Sequence, residues 1–168
     1  LPTYGKTSFI LGLITYLAQS PAVQFLIADG KVETGHEGDY LDVAPRALSV
    51  IGDDIETFNT WIKQVNAFGR MRSSTIRQTL GVKNMWDIGP TPEWPLVPVI
   101  IDEAHTFFEQ VRDGGNRELK ARNALAAENA REVADLVKKR RSVGIWPIIA
   151  TQKGTGDAIP TKLRDNLS

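Results

Sequence analysis

Apolar residues in this chain fall into short blocks that alternate between a strand-like and a helix-like spacing. After Gly5-Lys6-Thr7, the residues Phe9, Ile10, Leu13, Ile14 and Leu17 recur at helical spacing, which predicts a helix over 8–19 stopped by Ser20-Pro21. Residues 23–28 form a short apolar run ending in Asp29-Gly30, the pattern of a buried strand and its turn. Residues 32–40 are polar, contain Gly35 and Gly38, and read as a loop; 47–51 reads as another short strand. Gly52-Asp53-Asp54 offers an N-cap for a long helical pattern through Ile55, Phe58, Trp61, Ile62 and Val65. Gly69 predicts a break before a second helical stretch over 71–80, which Gly81 ends. Residues 89–98 hold four prolines and read as a connection. The most apolar strand follows at 97–101, with Asp102-Glu103 at its end. Gly114 and Gly115 mark a loop, 116–141 reads as a long charged helix stopped near Gly144, and 145–150 is a last buried strand before Thr151-Gln152. Short apolar strands alternating with helices predict a mainly parallel sheet covered on both faces, a three-layer α/β domain.

Composition adds bounds to that picture. The chain has 168 residues, enough for one domain over its whole length, with 42 % apolar and 24 % charged residues. Twenty basic and twenty acidic residues cancel, so any attraction to nucleic acid must live in a local patch. The absence of cysteine excludes disulfides and thiolate metal sites, and two histidines, His36 and His105, argue against a histidine-rich metal centre. No run of eighteen apolar residues occurs. Neither end carries a start or stop signal, so both read as cuts in a longer protein whose other segments could include membrane anchors.

Gly5-Lys6-Thr7 opening a helix matches the end of G-x-x-x-x-G-K-[ST], with residues 1–4 in the variable positions and the first glycine one residue before the chain. In such a loop the backbone N–H groups and the helix dipole surround phosphates. Thr3, Tyr4, Gly5, Lys6, Thr7 and Ser8 are therefore the expected nucleotide-binding residues. Lys6 would reach the β- and γ-phosphates, and the Thr7 hydroxyl would ligate Mg²⁺. Residues 97–103 supply the second half of the constellation. A buried parallel strand delivers its C-terminal residues to the ligand edge of the sheet. Asp102 can there hold Mg²⁺ through its water shell, and Glu103 can act as general base on an attacking water. Gln152, at the tip of the strand over 145–150, can sense the γ-phosphate or orient that water.

These segments in order resemble the motor domain of the FtsK/SpoIIIE family of hexameric DNA translocases. Leu26-Ile27-Ala28-Asp29-Gly30-Lys31 is similar to the family's strand ending in Asp-Pro-Lys, and Leu80-Gly81-Val82-Lys83-Asn84 to its Leu-Gly-Val-Arg-Asn segment. Ile100-Ile101-Asp102-Glu103 matches its Walker B, and Arg141-Ser142-Val143-Gly144-Ile145 through Ala150-Thr151-Gln152 resembles its arginine, Gly-Ile strand and Ala-Thr-Gln motif. Two departures stand out: Lys153-Gly154 replaces the usual Arg-Pro, and Asp-Gly-Lys replaces Asp-Pro-Lys. The second leans toward the conjugative FtsK-type transfer proteins of actinobacterial mobile elements. The resemblance implies a RecA-like P-loop fold, with ATP and Mg²⁺ as cofactors. It implies a cytoplasmic motor that moves double-stranded DNA within a homo-oligomeric ring, a hexamer in the parent protein. It also implies that Arg141 reaches a neighbouring subunit's γ-phosphate. The isolated piece is expected to be monomeric and nearly inactive. A type VII secretion-like ATPase acting on protein substrates is one alternative, and a nucleotide-binding module without turnover is another.

Between Trp61 and Trp86 the charged residues are Lys63, Arg70, Arg72, Arg77 and Lys83, with no acid among them. That run reads either as a solvated helix face or as a surface tracking DNA phosphates, with Arg70, Arg72, Arg77 and Lys83 as its contacts. Lys138-Lys139-Arg140-Arg141 ends the long helix, where cations complement the dipole. His105 reads as a residue behind the site or on the surface, and the four tryptophans as packing groups.

Overall fold

The computed structural model describes residues 5–34, 37–152 and 160. Helix α1 (Gly5–Leu17) leads into strand β1 (Phe25–Asp29), followed by β2 (Ala47–Ile51) and the long α2 (Ile55–Leu80). Strand β3 (Val97–Asp102), a single turn α3 (His105–Phe108), helix α4 (Arg117–Lys139) and strand β4 (Ile145–Ile149) complete the described chain. The four strands form one sheet in the order β2-β1-β3-β4, and every pairing is parallel. Parallel neighbours need crossovers: α2 lies in the one from β2 to β3 and α4 in the one from β3 to β4, while the described residues of the connection from β1 to β2 hold only a short 3₁₀ helix, Leu41–Arg46.

The two faces of the sheet have separate cores. Val97, Val99 and Ile101 of β3 pack with Phe58, Trp61, Ile62 and Val65 of α2 and with Val133, Leu136 and Val137 of α4. Phe107 of α3 stacks on Phe58 there, with ring centroids 4.1 Å apart. Ile100 of β3 and Phe25 and Ile27 of β1 turn the other way, toward Ile10 and Ile14 of α1. The alternation along β3 is the period-2 geometry of a strand buried on both sides. This is the expected three-layer α/β arrangement, and the element boundaries differ from the sequence expectation by a few residues. Helix α1 already includes Gly5, three residues before the helix start expected at residue 8.

The helix ends follow local chemistry. The Asp54 carboxylate accepts the Thr57 N–H at 2.7 Å, and Gly81 closes α2 in the left-handed conformation with φ 72°. Asn116 caps α4 by accepting the N–H groups of Glu118 and Leu119.

Gly69 does not break the helix: α2 runs unbroken for 26 residues. A Cβ on Gly69 would lie 2.7 Å from Arg140 Cδ and 3.0 Å from Arg140 Cγ, so the glycine is needed where the end of α4 presses onto α2. Alanine there gains about 1 kcal/mol of helix propensity and loses roughly 1–3 kcal/mol to overpacking. Gly69→Ala should therefore lower stability in urea unfolding; a clear gain would mean that Arg140 yields freely and the glycine has no packing role.

Candidate active site

The alternation along β3 fixes where its last side chain goes. Ile100 faces α1, and Asp102, two residues on, continues that face to the C-terminal edge of the sheet. There it meets the first turn of α1. Lys6 Nζ lies 2.6 Å from Asp102 Oδ1 and 2.9 Å from Glu103 Oε1, which joins residues almost a hundred positions apart. Asp102 is fully buried, and its second oxygen, Oδ2, accepts the Tyr40 hydroxyl at 2.9 Å and lies 3.7 Å from Lys31 Nζ. The same Lys31 ammonium is 3.1 Å from Thr7 Oγ1. Burial alone would push the Asp102 carboxyl up. Lys6, then Tyr40 and Lys31, overcome that and hold it below the usual carboxylate range. The carboxylate pushes the Tyr40 hydroxyl the other way, because burial and then the adjacent negative charge raise its pKa.

Glu103 has φ 50°, the only positive φ among the described non-glycine residues. That turn sends its side chain back over the edge of the sheet. Oε1 pairs with Lys6, while Oε2 accepts the Gln152 backbone N–H at 3.0 Å and lies 3.3 Å from His105 Nδ1. His105 also contacts Thr151 Oγ1 at 3.2 Å, so it stands beside the general-base candidate. Gly30 supports the same turn from β1. Its N–H donates to Asp102 O at 2.9 Å, and a Cβ there would fall 2.8 Å from Glu103 O. Proline, which the resembled family carries at this position, has neither that N–H nor that clearance. Asp29, paired in register with Asp102, is buried and accepts the Lys31 N–H at 3.1 Å. Burial pushes its carboxyl up against that N–H, and Asp102 adds to the push.

Most of the expected site residues therefore meet at one edge. Lys6, Thr7, Asp102 and Glu103 converge; Gln152 joins through its backbone; Gly5 and Ser8 are exposed in the first turn of α1. Thr3 and Tyr4 lie outside the described residues, as do Lys153 and Gly154. Arg141 sits in the turn before β4, whose first residue Ile145 pairs with Val97 at the start of β3. Five residues of strand, about 17 Å at 3.3 Å each, separate that end from Asp102, so Arg141 does not serve its own site.

Arg72 is a correction. It is buried, its Nη1 donates to Pro95 O at 2.8 Å and Val143 O at 3.1 Å, and its guanidinium lies between the rings of Phe68 and Trp94. Burial brings its pKa down to about 10. It ties α2 to the segments before β3 and β4 and presents nothing to a DNA phosphate. Arg70, Arg77 and Lys83 are exposed. The signal was present in the sequence: Ile62, Val65, Gly69, Arg72 and Ile76 lie on one buried helical stripe. Lys31 and Tyr40 were missed as site residues, although Tyr40 is the one aromatic in the polar stretch after β1.

The residues present fit a nucleotide with Mg²⁺. Thr7 Oγ1 and Asp102 Oδ2 already accommodate a lysine cation between them, and hydroxyl and carboxylate are the hard oxygen donors that Mg²⁺ takes. Lys6 and the start of α1 supply the charge and dipole that phosphates require.

A parallel sheet in the order β2-β1-β3-β4, with α1 ahead of β1, is the arrangement of the P-loop NTPase fold. No family model matches the sequence, and no curated protein matches it. Solved structures do. The pCW3 conjugation coupling protein TcpA, in a monomer form with ATPγS, matches with a TM-score of 0.70 at 19 % identity, over 98 % of this chain and 44 % of that one. EccC (ATPases 2 and 3) of Thermomonospora curvata, in complex with a signal sequence peptide, matches with a TM-score of 0.65 at 19 % identity, over 98 % of this chain and 28 % of that one. EssC (ATPases 2 and 3) of Geobacillus thermodenitrificans matches with a TM-score of 0.62 at 17 % identity, over 98 % and 29 %. The chain thus has the fold of FtsK/SpoIIIE-type ATPase domains and spans less than half the length of these neighbours.

Because Asp102 is held below the ordinary aspartate value of 3.8, its pairing contributes fully above that pH and is lost as pH falls through the folded value. Lys6→Ala should therefore cost about 1–3 kcal/mol near neutral pH and progressively less below about pH 4. Chemical unfolding from about pH 2.5 to about pH 7 checks this. A cost independent of pH would show that Lys6 does not hold the charge of Asp102.

Proposed function

We propose that this chain is the ATP-binding core of a longer protein that hydrolyses ATP within a ring and moves double-stranded DNA. The observation that carries the ATPase reading is the contact of Lys6 with both Asp102 and Glu103. Entering phosphates compete for Lys6, whose ammonium then leaves Glu103 Oε1 free while the Gln152 N–H keeps Oε2 in place. Glu103 takes the proton of a water whose oxygen attacks the γ-phosphorus, and the bond from that phosphorus to the β,γ-bridging oxygen breaks, leaving ADP and phosphate. Thr7 and Asp102 are the residues that would hold Mg²⁺, which when bound neutralises charge on the phosphate oxygens. Arg141, remote from its own site, is suited to complete the site of the next subunit in a ring.

Glu103→Gln keeps shape and hydrogen bonding but removes the base, so in the longer protein nucleotide should bind normally while turnover falls by about 10²–10⁴. Equilibrium binding and phosphate release on the same sample check this. A variant with ordinary turnover takes the general-base role from Glu103.

For the DNA reading, the exposed Arg70 and Arg77 on α2 and Lys83 after it form an acid-free basic segment. Replacing all three with Ala should weaken duplex binding by the longer protein equally for every sequence and flatten its log–log salt dependence by about 0.9 per lost phosphate contact. An unchanged slope returns the three to a solvated face. A protein cargo is the second reading, favoured by the likeness to EccC with a bound signal sequence peptide. ATPase stimulation by peptide and not by duplex DNA would establish it.

A further inference from the structure

Asp102 Oδ2 faces a group that the ATPase reading leaves without a task. Lys31, the last residue of the strand-end segment 26–31, places its ammonium 3.7 Å from that oxygen and 3.1 Å from Thr7 Oγ1. These are the two side chains that would hold Mg²⁺. The main chain of Lys31 is fixed at the tip of β1 by its N–H bond to the buried Asp29 carboxylate, so the ammonium works from an anchored base. Its third neighbour, Asp39 Oδ2, lies 3.7 Å away on a side chain that is half exposed.

We propose that Lys31 is a tethered competitor of Mg²⁺, reserving the seat between Thr7 and Asp102 for the metal that arrives with a nucleotide; this rests on the ATPase reading above. A lysine ammonium is a compact cation on a flexible stem, and a hydrated divalent ion between the same two groups would stand within a few ångströms of it. The two cannot share the seat. Asp102, Glu103, Lys6 and Lys31 cancel in charge, so a bare divalent ion meets no net negative site among those four. Phosphates change the balance twice. They draw Lys6 off the carboxylates and add negative charge of their own, after which Asp39 can take Lys31 as it leaves Thr7. The segment that resembles the family's strand end thereby gains a function: it couples metal entry to nucleotide entry.

The test is the Mg²⁺ concentration that half-saturates binding of a fluorescent ATP analogue to the 168-residue chain. Lys31→Met keeps the stem and removes the charge, and it should lower that concentration about five- to tenfold. Lys31→Arg keeps the charge and should stay near the unaltered value. Mn²⁺ without nucleotide, followed by its electron spin resonance signal, should bind to Lys31→Met more tightly than to the unaltered chain. An unchanged midpoint in Lys31→Met overturns the proposal, and so does a raised one, which would make Lys31 a phosphate ligand. If Lys31→Met does not fold, Lys31→Gln provides the same comparison. Unaltered chain that shows no Mg²⁺-dependent analogue binding overturns the ATPase reading along with this one, whereas normal binding with an unmoved midpoint overturns only this one.

Discussion

A carboxylate with no exposure to water has to be compensated from every side, and in this structure the residue that imposes the requirement is Asp102. Its partners come from separate parts of the chain: Lys6 from the start of α1, Tyr40 and Lys31 from the connection after β1, and the Glu103 N–H from its own strand end. Each partner is placed by a packing decision made elsewhere. Ile10 and Ile14 seat α1 on the sheet, so Lys6 arrives over the edge; the register Asp29↔Asp102 brings the β1 tip level with the β3 tip. Loss of either placement would leave a buried charge exposed to apolar neighbours. The functional edge and the fold therefore constrain each other.

Two close approaches make that edge possible. Gly30 lets the β1 turn lie against the Glu103 carbonyl, and Glu103 itself accepts a left-handed backbone that most residues avoid. The reward is a carboxylate aimed at Lys6 with its other oxygen pinned by Gln152. On the opposite face, Gly69 plays a purely structural part by admitting the Arg140 stem between α2 and α4. The chain thus uses one glycine to shape the site and another to close the core.

Strands and long helices were legible because their patterns are dictated by burial on a two-faced sheet: the five apolar residues before Asp102 permit little else. That Lys6 would meet Asp102 and Glu103 was legible because a helix start and the end of a buried parallel strand face the same edge of the sheet. Arg72 misled because charge was read before position; its place on the buried stripe of α2 outweighs its formal charge once Pro95 and Val143 carbonyls are there to receive it. Gly69 misled because helix propensity is a local quantity and the contact with Arg140 is not. Lys31 and Tyr40 sit in a stretch without periodicity, so nothing in spacing could aim their side chains at Asp102.

The charge of Asp102 is the pivot of this description, and calorimetric titration of the chain with ATP probes it directly. Binding should be strong in excess Mg²⁺, weak in the presence of a chelator, and reduced in the Asp102→Asn variant to the level of the chelated sample. Equal affinity for all three would contradict the account, because it would mean that ATP is held without the group around which α1, β1 and β3 are arranged.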